Sequence, residues 1–185
     1  MKKVTMTLLT VFTVSAAIAQ INKGAWLIGA SSNVGFNSYS FKNSPNQSLF
    51  NINTKAGYFV IDNFTVGINL GYFNSSQSGF SSSTTSIGVF TRYYLPKNFF
   101  LGVGINSVSN SFSSSGTSSS SSSIAIPMEL GIAAFITKNI AVEPSINYIK
   151  GDDKGGVTYN GLNTGATSAI GLNIGFTVYL NRSNE

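Results

Sequence analysis

Apolar and polar residues alternate with a period of two along most of the chain, and short polar segments divide this alternation into eight runs. A period of two places successive side chains on opposite faces of a β-strand, whereas a helix repeats its apolar positions every three or four residues. Each run can supply the roughly 9 to 11 residues with which a tilted strand crosses a bilayer. The sequence therefore predicts an all-β fold of eight strands. The apolar sets of these strands begin at Trp26, Phe50, Phe64, Ile87, Phe99, Ile124, Ile140 and Ile170.

The connections between the runs alternate between short and long. Short turns are predicted at residues 61–63, 96–98 and 137–139, where Asp or Lys precedes an Asn that tolerates turn geometry. Long polar connections are predicted at residues 37–48, 74–83, 109–123 and 151–165. Short turns at one end and long loops at the other are typical of a membrane barrel, with the turns periplasmic and the loops outside the cell. The predicted fold class is an eight-stranded antiparallel up-and-down transmembrane β-barrel.

The scarcity of charge indicates which face of the strands meets lipid. Only 9% of the residues are charged, compared with about 25% in an ordinary soluble domain. The ionised residues within the runs all lie opposite the apolar set of their own strand, so we expect them in the lumen. They are Lys55, Arg92, Glu129 and Glu143. The reverse orientation would place Lys55 and Arg92 against lipid, at a cost of roughly 2 to 4 kcal/mol each near the midplane.

These four lumen charges sum to zero and are predicted to form an ion-pair network, because a buried charge without a partner is costly. Strand order places Lys55 diametrically opposite Glu129 at comparable depth. Arg92 and Glu143 are predicted to meet across the lumen near the short-turn end. The preferred interpretation is a salt-bridge plug that fills the lumen, and a functional gate is the alternative.

Aromatic residues fall near both ends of the predicted strands, as in the interfacial girdles of membrane barrels. The set toward the long loops is Phe36, Phe50, Tyr72 and Tyr148. The set beside the short turns, predicted as an interfacial belt, is Trp26, Tyr58, Phe64, Tyr93 and Phe99.

The first 19 residues are predicted to be a cleavable signal peptide. Lys2 and Lys3 precede a mostly apolar stretch, and residues 17–19 (AIA) form a small-residue cleavage site. The mature outer-membrane β-barrel domain is then predicted to span residues 20–185. The stretch lacks the length and stop-transfer flank of an uncleaved transmembrane anchor. The chain has no Cys, which excludes a lipidation cysteine and a disulfide framework.

The opening strand GAWLIG at residues 24–29, the Asp/Lys-Asn turns and the final strand IGFTVYL at residues 174–180 resemble the small outer-membrane barrels of the OmpA transmembrane domain and OmpX type. The resemblance covers residues 23–180 and rests on pattern. It implies a bacterial outer-membrane location, insertion by the barrel-assembly machinery, and structural, adhesive or host-interaction roles. It also implies that a lumen ion-pair network can act as a gate, as proposed for the OmpA barrel.

Catalytic chemistry finds little support in the sequence. The absence of His and Cys excludes Ser-His-Asp triads, Cys-His dyads and His-based zinc sites. Asp152 and Asp153 do not have the ligand spacing of an EF-hand and are interpreted as a solvated loop tip. We expect no enzyme activity, no metal and no cofactor. The net charge of +5 comes from scattered cations, so no nucleic-acid partner is expected.

Three functions remain open at this point. The leading one is a structural or surface-interaction barrel, with outer-membrane lipid as its partner and an unknown extracellular ligand for its loops. The alternatives are a narrow, porin-like small-solute channel and a soluble periplasmic β-barrel that binds an apolar ligand. Two local features carry further expectations. The serine-rich residues 113–123 are predicted to be a mobile spacer, and Pro127 and Pro144 each predict a bulge or a lost ladder bond.

Overall fold

A computed structural model describes residues 21–31, 35–39, 47–114, 116–152, 158–159, 162–163 and 167–181. Within these ranges the chain forms twelve β-strands and one short 3-10 turn at Pro96–Asn98. The strands are β1 (Trp26–Ser31), β2 (Gly35–Tyr39), β3 (Gln47–Ile61), β4 (Phe64–Gln77), β5 (Phe80–Tyr94), β6 (Phe99–Ser114), β7 (Thr117–Ile132), β8 (Ala134–Phe135), β9 (Ile140–Gly151), β10 (Thr158–Tyr159), β11 (Leu162–Asn163) and β12 (Ser168–Leu180). The described residues include no helix with the length and hydropathy needed to span a membrane.

The sheet closes on itself as an antiparallel barrel. Strands β3 to β7 lie side by side in chain order. Strand β7 then pairs with β9, and β9 pairs with β12. Strand β1 closes the barrel because it pairs with both β3 and β12. Strands β1 and β2 occupy one position beside β3, and β8 continues β7 along β9. The predicted eight-stranded up-and-down barrel is therefore confirmed, with β10 and β11 as a separate small hairpin.

The two faces of the barrel wall differ as the alternation predicts. Exposed apolar side chains follow the outer face, including Ile68 on β4 and Val89 on β5. The four predicted lumen charges lie on the inner face, where the side chain of Arg92 is 1% exposed and that of Glu143 is fully buried. An outer surface of this kind suits contact with lipid, since single apolar residues are normal on a soluble protein but a continuous apolar band is not.

Two of the four long loops predicted from the sequence are strands in the structure, so these two predictions are wrong. Only two residues separate β4 from β5, and only two separate β6 from β7, so residues 74–83 and the described residues of 109–123 belong to hairpins. The prediction that the serine-rich residues 113–123 are a mobile spacer is also wrong, because the described residues of this segment belong to β6 and β7. Serine and threonine fit both faces of a solvated strand, and the turns form at Gly79 and Gly116, whose positive φ angles of 80° and 86° suit glycine.

The other two predicted loops are partly strand or lie outside the described residues. In the predicted 37–48 connection, residues 37–39 belong to β2 and residues 47–48 to β3, while residues 40–46 lie outside the described part. In the predicted 151–165 connection, β10 and β11 pair as a two-stranded hairpin. The predicted solvated tip at Asp153 lies outside the described residues, whereas the side chain of Asp152 accepts a 3.3 Å hydrogen bond from the backbone N–H of Ile124. The signal peptide prediction also concerns residues outside the described ranges.

Both prolines interrupt the barrel ladder without shifting its register. Pairing between β6 and β7 stops at Met128 and resumes at Ala125, on either side of Pro127. On the side of β9 that faces β7 and β8, pairing stops at Ser145 and resumes at Val142, whereas pairing with β12 continues through Pro144. Because proline lacks an N–H, each site loses ladder bonds, and the unchanged register indicates that neither site is a bulge.

Candidate functional site

The lumen charges meet in one group, which we call the ion cluster (Lys55, Arg92, Glu129, Glu143). Arg92 on β5 reaches across the lumen, and its Nη2 atom lies 2.6 Å from Glu129 Oε2 on β7. Its Nη1 atom lies 2.8 Å from Glu143 Oε2 on β9. The rigid fork of the guanidinium suits this bridging of two carboxylates. Arg92 therefore links three strands that are not all neighbours in the sheet.

Lys55 completes the ion cluster from the opposite wall. Its Nζ atom lies 3.7 Å from Glu129 Oε1 and 3.7 Å from Glu143 Oε2. The sequence anticipated a Lys55–Glu129 pair and an Arg92–Glu143 pair, and the structure brings each cation close to both carboxylates. The group contains two cations and two anions, so its formal charge is zero.

Two tyrosines extend the ion cluster toward the end of the barrel that carries the short turns, here called the turn end. Arg92 Nη1 donates a 3.0 Å hydrogen bond to the hydroxyl of Tyr94. The hydroxyls of Tyr94 and Tyr179 lie 2.8 Å apart, and the Tyr179 hydroxyl donates to Glu143 Oε1 at 2.5 Å. These phenols satisfy one donor of Arg92 and one lone pair of Glu143, while Arg92 Nε is buried without a hydrogen-bond partner.

An aromatic face covers the guanidinium. The centre of the Arg92 guanidinium lies 3.9 Å from the centroid of the Phe100 ring, which is a cation–π contact. The sequence pattern did not predict Phe100, Tyr94 or Tyr179 in this site. Strand parity could have found them, because Tyr94 is in phase with Arg92, and Phe100 is in phase with Gly102 opposite Glu129.

The turn end of the lumen is closed by a second group, which we call the apolar plug. It consists of Ile21, Ala25, Leu27, Phe59, Tyr94, Phe100, Ala133, Ala141 and Tyr179. Ile21 precedes β1 and is fully buried. Its backbone N–H donates to Asn63 Oδ1 at 3.0 Å, and its carbonyl accepts from Asn63 N–H at 2.8 Å. The segment before β1 is therefore held by the turn between β3 and β4, with its apolar side chain inside the barrel.

Above the ion cluster, away from the turn end, the lumen holds a cavity of about 200 Å³, here called the polar cavity for the amide and charged side chains that line it, while most of its lining surface is apolar. Lys55 and Glu129 are among its lining residues, together with amide side chains from several strands. The lumen thus contains three layers, which are the apolar plug, the ion cluster and the polar cavity. Within the described ranges, no three His, Cys, Asp or Glu side chains are grouped to hold a metal ion.

A glycine makes room for the ring that lies on Arg92. A Cβ atom built on Gly131 would stand 2.4 Å from Phe100 Cζ and 2.7 Å from the carbonyl oxygen of Pro144. We predict that Gly131→Ala lowers the free energy of unfolding by about 1 to 3 kcal/mol, the usual cost of overpacking. Urea unfolding in phospholipid vesicles measures this change. Gly102→Ala is the matched control, because its Cβ would meet its neighbours no closer than 3.5 Å. Equal stability losses for the two variants would contradict the close packing at Gly131.

The predicted aromatic belt lies on the outer face near the turn end. Four of its members are exposed, and Phe64 is partly buried. The rings of Trp26 and Tyr58 pack with centroids 5.0 Å apart on neighbouring strands. Their position supports the belt interpretation, which remains a proposal.

A closed barrel with an apolar outer face and paired charges inside defines the class of membrane-spanning β-barrels. Residues 4–181 match the family described as outer membrane protein beta-barrel domain. The chain belongs to this family. No curated protein is significantly similar to the chain.

The chain is similar to solved outer-membrane structures from several bacteria. The outer membrane protein Ail of Yersinia pestis, in a phospholipid bilayer nanodisc, is 16% identical with a TM-score of 0.50, over 85% of this chain and 100% of that one. The Neisserial surface protein A is 18% identical with a TM-score of 0.48, over 83% of this chain and 94% of that one. The N-terminal β-barrel domain of Pseudomonas aeruginosa OprF is 15% identical with a TM-score of 0.47, over 85% and 98%. At 16% identity, the likeness to Ail concerns the fold alone.

Proposed function

We propose that this protein is a closed outer-membrane barrel with a structural or surface-interaction role, and that it is not a channel. The apolar plug carries the proposal. Solute passage would require Ile21, Leu27 and the aromatic rings below Arg92 to leave the lumen, in addition to rupture of the ion cluster. The proposal includes no catalytic activity, since the chain lacks His and Cys.

The hairpins at the end opposite the short turns supply the proposed interaction surface. Strands β4, β5, β6 and β7 have 14, 15, 16 and 16 residues. A tilted strand needs only about 9 to 11 residues to cross a bilayer, so we infer that the excess projects outside the cell. The projecting residues are mostly serine. No residue between Phe73 and Thr91, which covers the β4–β5 hairpin, is charged. Such a surface is available to a partner, while the barrel wall contacts outer-membrane lipid.

Export and insertion form part of the same proposal. The N-terminal pattern supports cleavage before Gln20, which leaves Ile21 as the second residue of the mature chain. We propose that the barrel-assembly machinery then inserts the mature chain. N-terminal sequencing of the protein from outer membranes should give Gln20 first, and retention of residues 1–19 would contradict this step.

Cell fractionation tests the location, and antibody labelling of intact cells tests the surface exposure. An epitope tag inserted at Gly116 is expected to be accessible to antibody on intact cells, because a side chain there would meet nothing within 4 Å. The protein should appear in the outer-membrane fraction and change its gel mobility on boiling, since a folded barrel resists detergent. A tag in the short turn at Lys97 is the matched control and should stain only permeabilised cells. Recovery in the soluble fraction would contradict the proposal.

The closed lumen makes a separate prediction about ion flow. Purified protein in a planar bilayer is expected to give no stable unitary conductance, since the apolar plug leaves no aqueous path at the turn end. A trimeric porin recorded under the same conditions serves as the positive control. Discrete, reproducible conductance steps from the wild-type barrel would support the narrow-channel alternative instead.

A further inference from the structure

Five side-chain amides line the polar cavity. These come from five different barrel strands, namely Asn53 (β3), Asn69 (β4), Asn106 (β6), Asn147 (β9) and Asn173 (β12). Each carboxamide offers two donors and one acceptor oxygen. The cavity wall therefore presents mixed donors and acceptors to whatever occupies it.

Several polar atoms at this cavity have hydrogen-bonding capacity to spare. Buried side-chain atoms without a hydrogen-bond partner also occur elsewhere in the barrel, at Thr65 Oγ1 and Thr177 Oγ1. Ser31 Oγ and Asn106 Oδ1 are the ones that belong to residues lining this cavity. Lys55 Nζ lies 3.7 Å from each carboxylate, which is too long for a hydrogen bond. Buried polar groups are normally satisfied, so unsatisfied groups around one cavity point to an occupant that hydrogen-bonds to them.

Charge and shape restrict the chemistry of that occupant. The ion cluster at the cavity floor has a formal charge of zero, so it gives no preference for an anion or a cation. Phe90 adds an apolar ring to the lining. An uncharged molecule with several hydroxyls and one apolar face would match both features. A volume of about 200 Å³ holds roughly six waters at ~30 Å³ each, or a single sugar ring.

One end of the lumen is closed to a ligand. The apolar plug closes the turn end. At the other end, Phe80 and Phe112 are exposed with ring centroids 6.4 Å apart. Strand parity places both rings on the inner face of β5 and β6, the face that leads down past Thr84 to the cavity. A ligand would therefore have to enter from the opposite end, past the buried inner-face side chains of Phe73, Thr84 and Val108.

We propose that the polar cavity is a blind binding site for a single, uncharged sugar unit. The amides and Lys55 donate to and accept from the sugar hydroxyls, and the Phe90 ring contacts an apolar face of the sugar. This function is distinct from the proposed surface role of the hairpins, and it does not require conduction.

Titration of the folded barrel in nanodiscs with D-glucose tests the proposal. The expected result is a saturable shift of the side-chain amide NMR signals of the lining asparagines. Asn69→Leu with Asn173→Leu removes two amides at similar volume and is expected to weaken binding at least tenfold, since each hydrogen bond contributes several-fold. Asn74→Leu is the matched control, because Asn74 lies on the outer face of β4 and does not line the cavity; it should bind as the wild type does.

Three outcomes would overturn the sugar site. One is the absence of any saturable shift in wild-type protein whose heat-modifiable mobility proves that it is folded, which would mean that the cavity holds water only. The second is the same set of shifts with sodium chloride or sodium phosphate, which would indicate an ion site. The third is equal binding by the double variant and the wild type, which would place the sugar elsewhere.

Discussion

Replacing Arg92 with Met is expected to lower the free energy of unfolding by about 3 to 5 kcal/mol, the typical cost of breaking a buried ion pair from one side. Arg92 is almost fully buried and bonds to Glu129 and Glu143 at 2.6 and 2.8 Å. Its removal leaves two carboxylates with only Lys55, whose ammonium is 3.7 Å from each. Equilibrium urea unfolding in phospholipid vesicles measures the change.

Two controls separate the ion cluster from the loss of any cation. Lys150→Met removes an exposed cation on β9 and is expected to change stability by no more than about 0.5 kcal/mol. Arg92→Met combined with Glu143→Gln restores a formal charge of zero, because it leaves Lys55 with Glu129 alone, and it should recover part of the loss. An Arg92→Met variant as stable as Lys150→Met would contradict the role of the ion cluster.

Placing a charge on the outer face is expected to have the second largest effect, and its size should depend on depth. Val89 is exposed at the middle of β5, so Val89→Arg should destabilise the barrel by roughly 2 to 4 kcal/mol in a bilayer. Thr85→Arg lies on the same face four residues nearer the projecting hairpins and should cost about 0 to 1 kcal/mol. Equal costs at the two positions would indicate that no hydrocarbon layer surrounds this face.

The sequence predicted the barrel because its period-two alternation carries over directly into two faces of a wall. The same parity placed Arg92 and Glu143 in the lumen, where the structure joins them. The alternation gives no depth along a strand finer than a few residues, so it could not tell that Arg92 bridges both carboxylates instead of pairing with one.

The apolar plug was missed because inner and outer positions are both apolar near the turn end. In Phe99-Phe100-Leu101, for example, the side chains of Phe99 and Leu101 point outward and that of Phe100 points inward, but all three are apolar. The alternation therefore does not distinguish Phe100 from its outward neighbours. Consecutive apolar residues at the end of an alternating run were the available signal. The hairpins were missed for the opposite reason, since serine repeats carry no alternation that distinguishes strand from loop. The Ser78-Gly79 pair was the available turn signal.

The central claim is that lipid contacts the apolar outer face, and the single tryptophan of the chain allows a direct test. Trp26 lies on the outer face near the turn end with 47% of its surface exposed. In vesicles of brominated phosphatidylcholines, its fluorescence should be quenched most strongly by bromines near the headgroup. In a Trp26→Phe, Ile68→Trp variant, quenching should be strongest with bromines deep in the acyl chain. Quenching of both proteins by aqueous iodide, with no response to the brominated lipids, would contradict the claim.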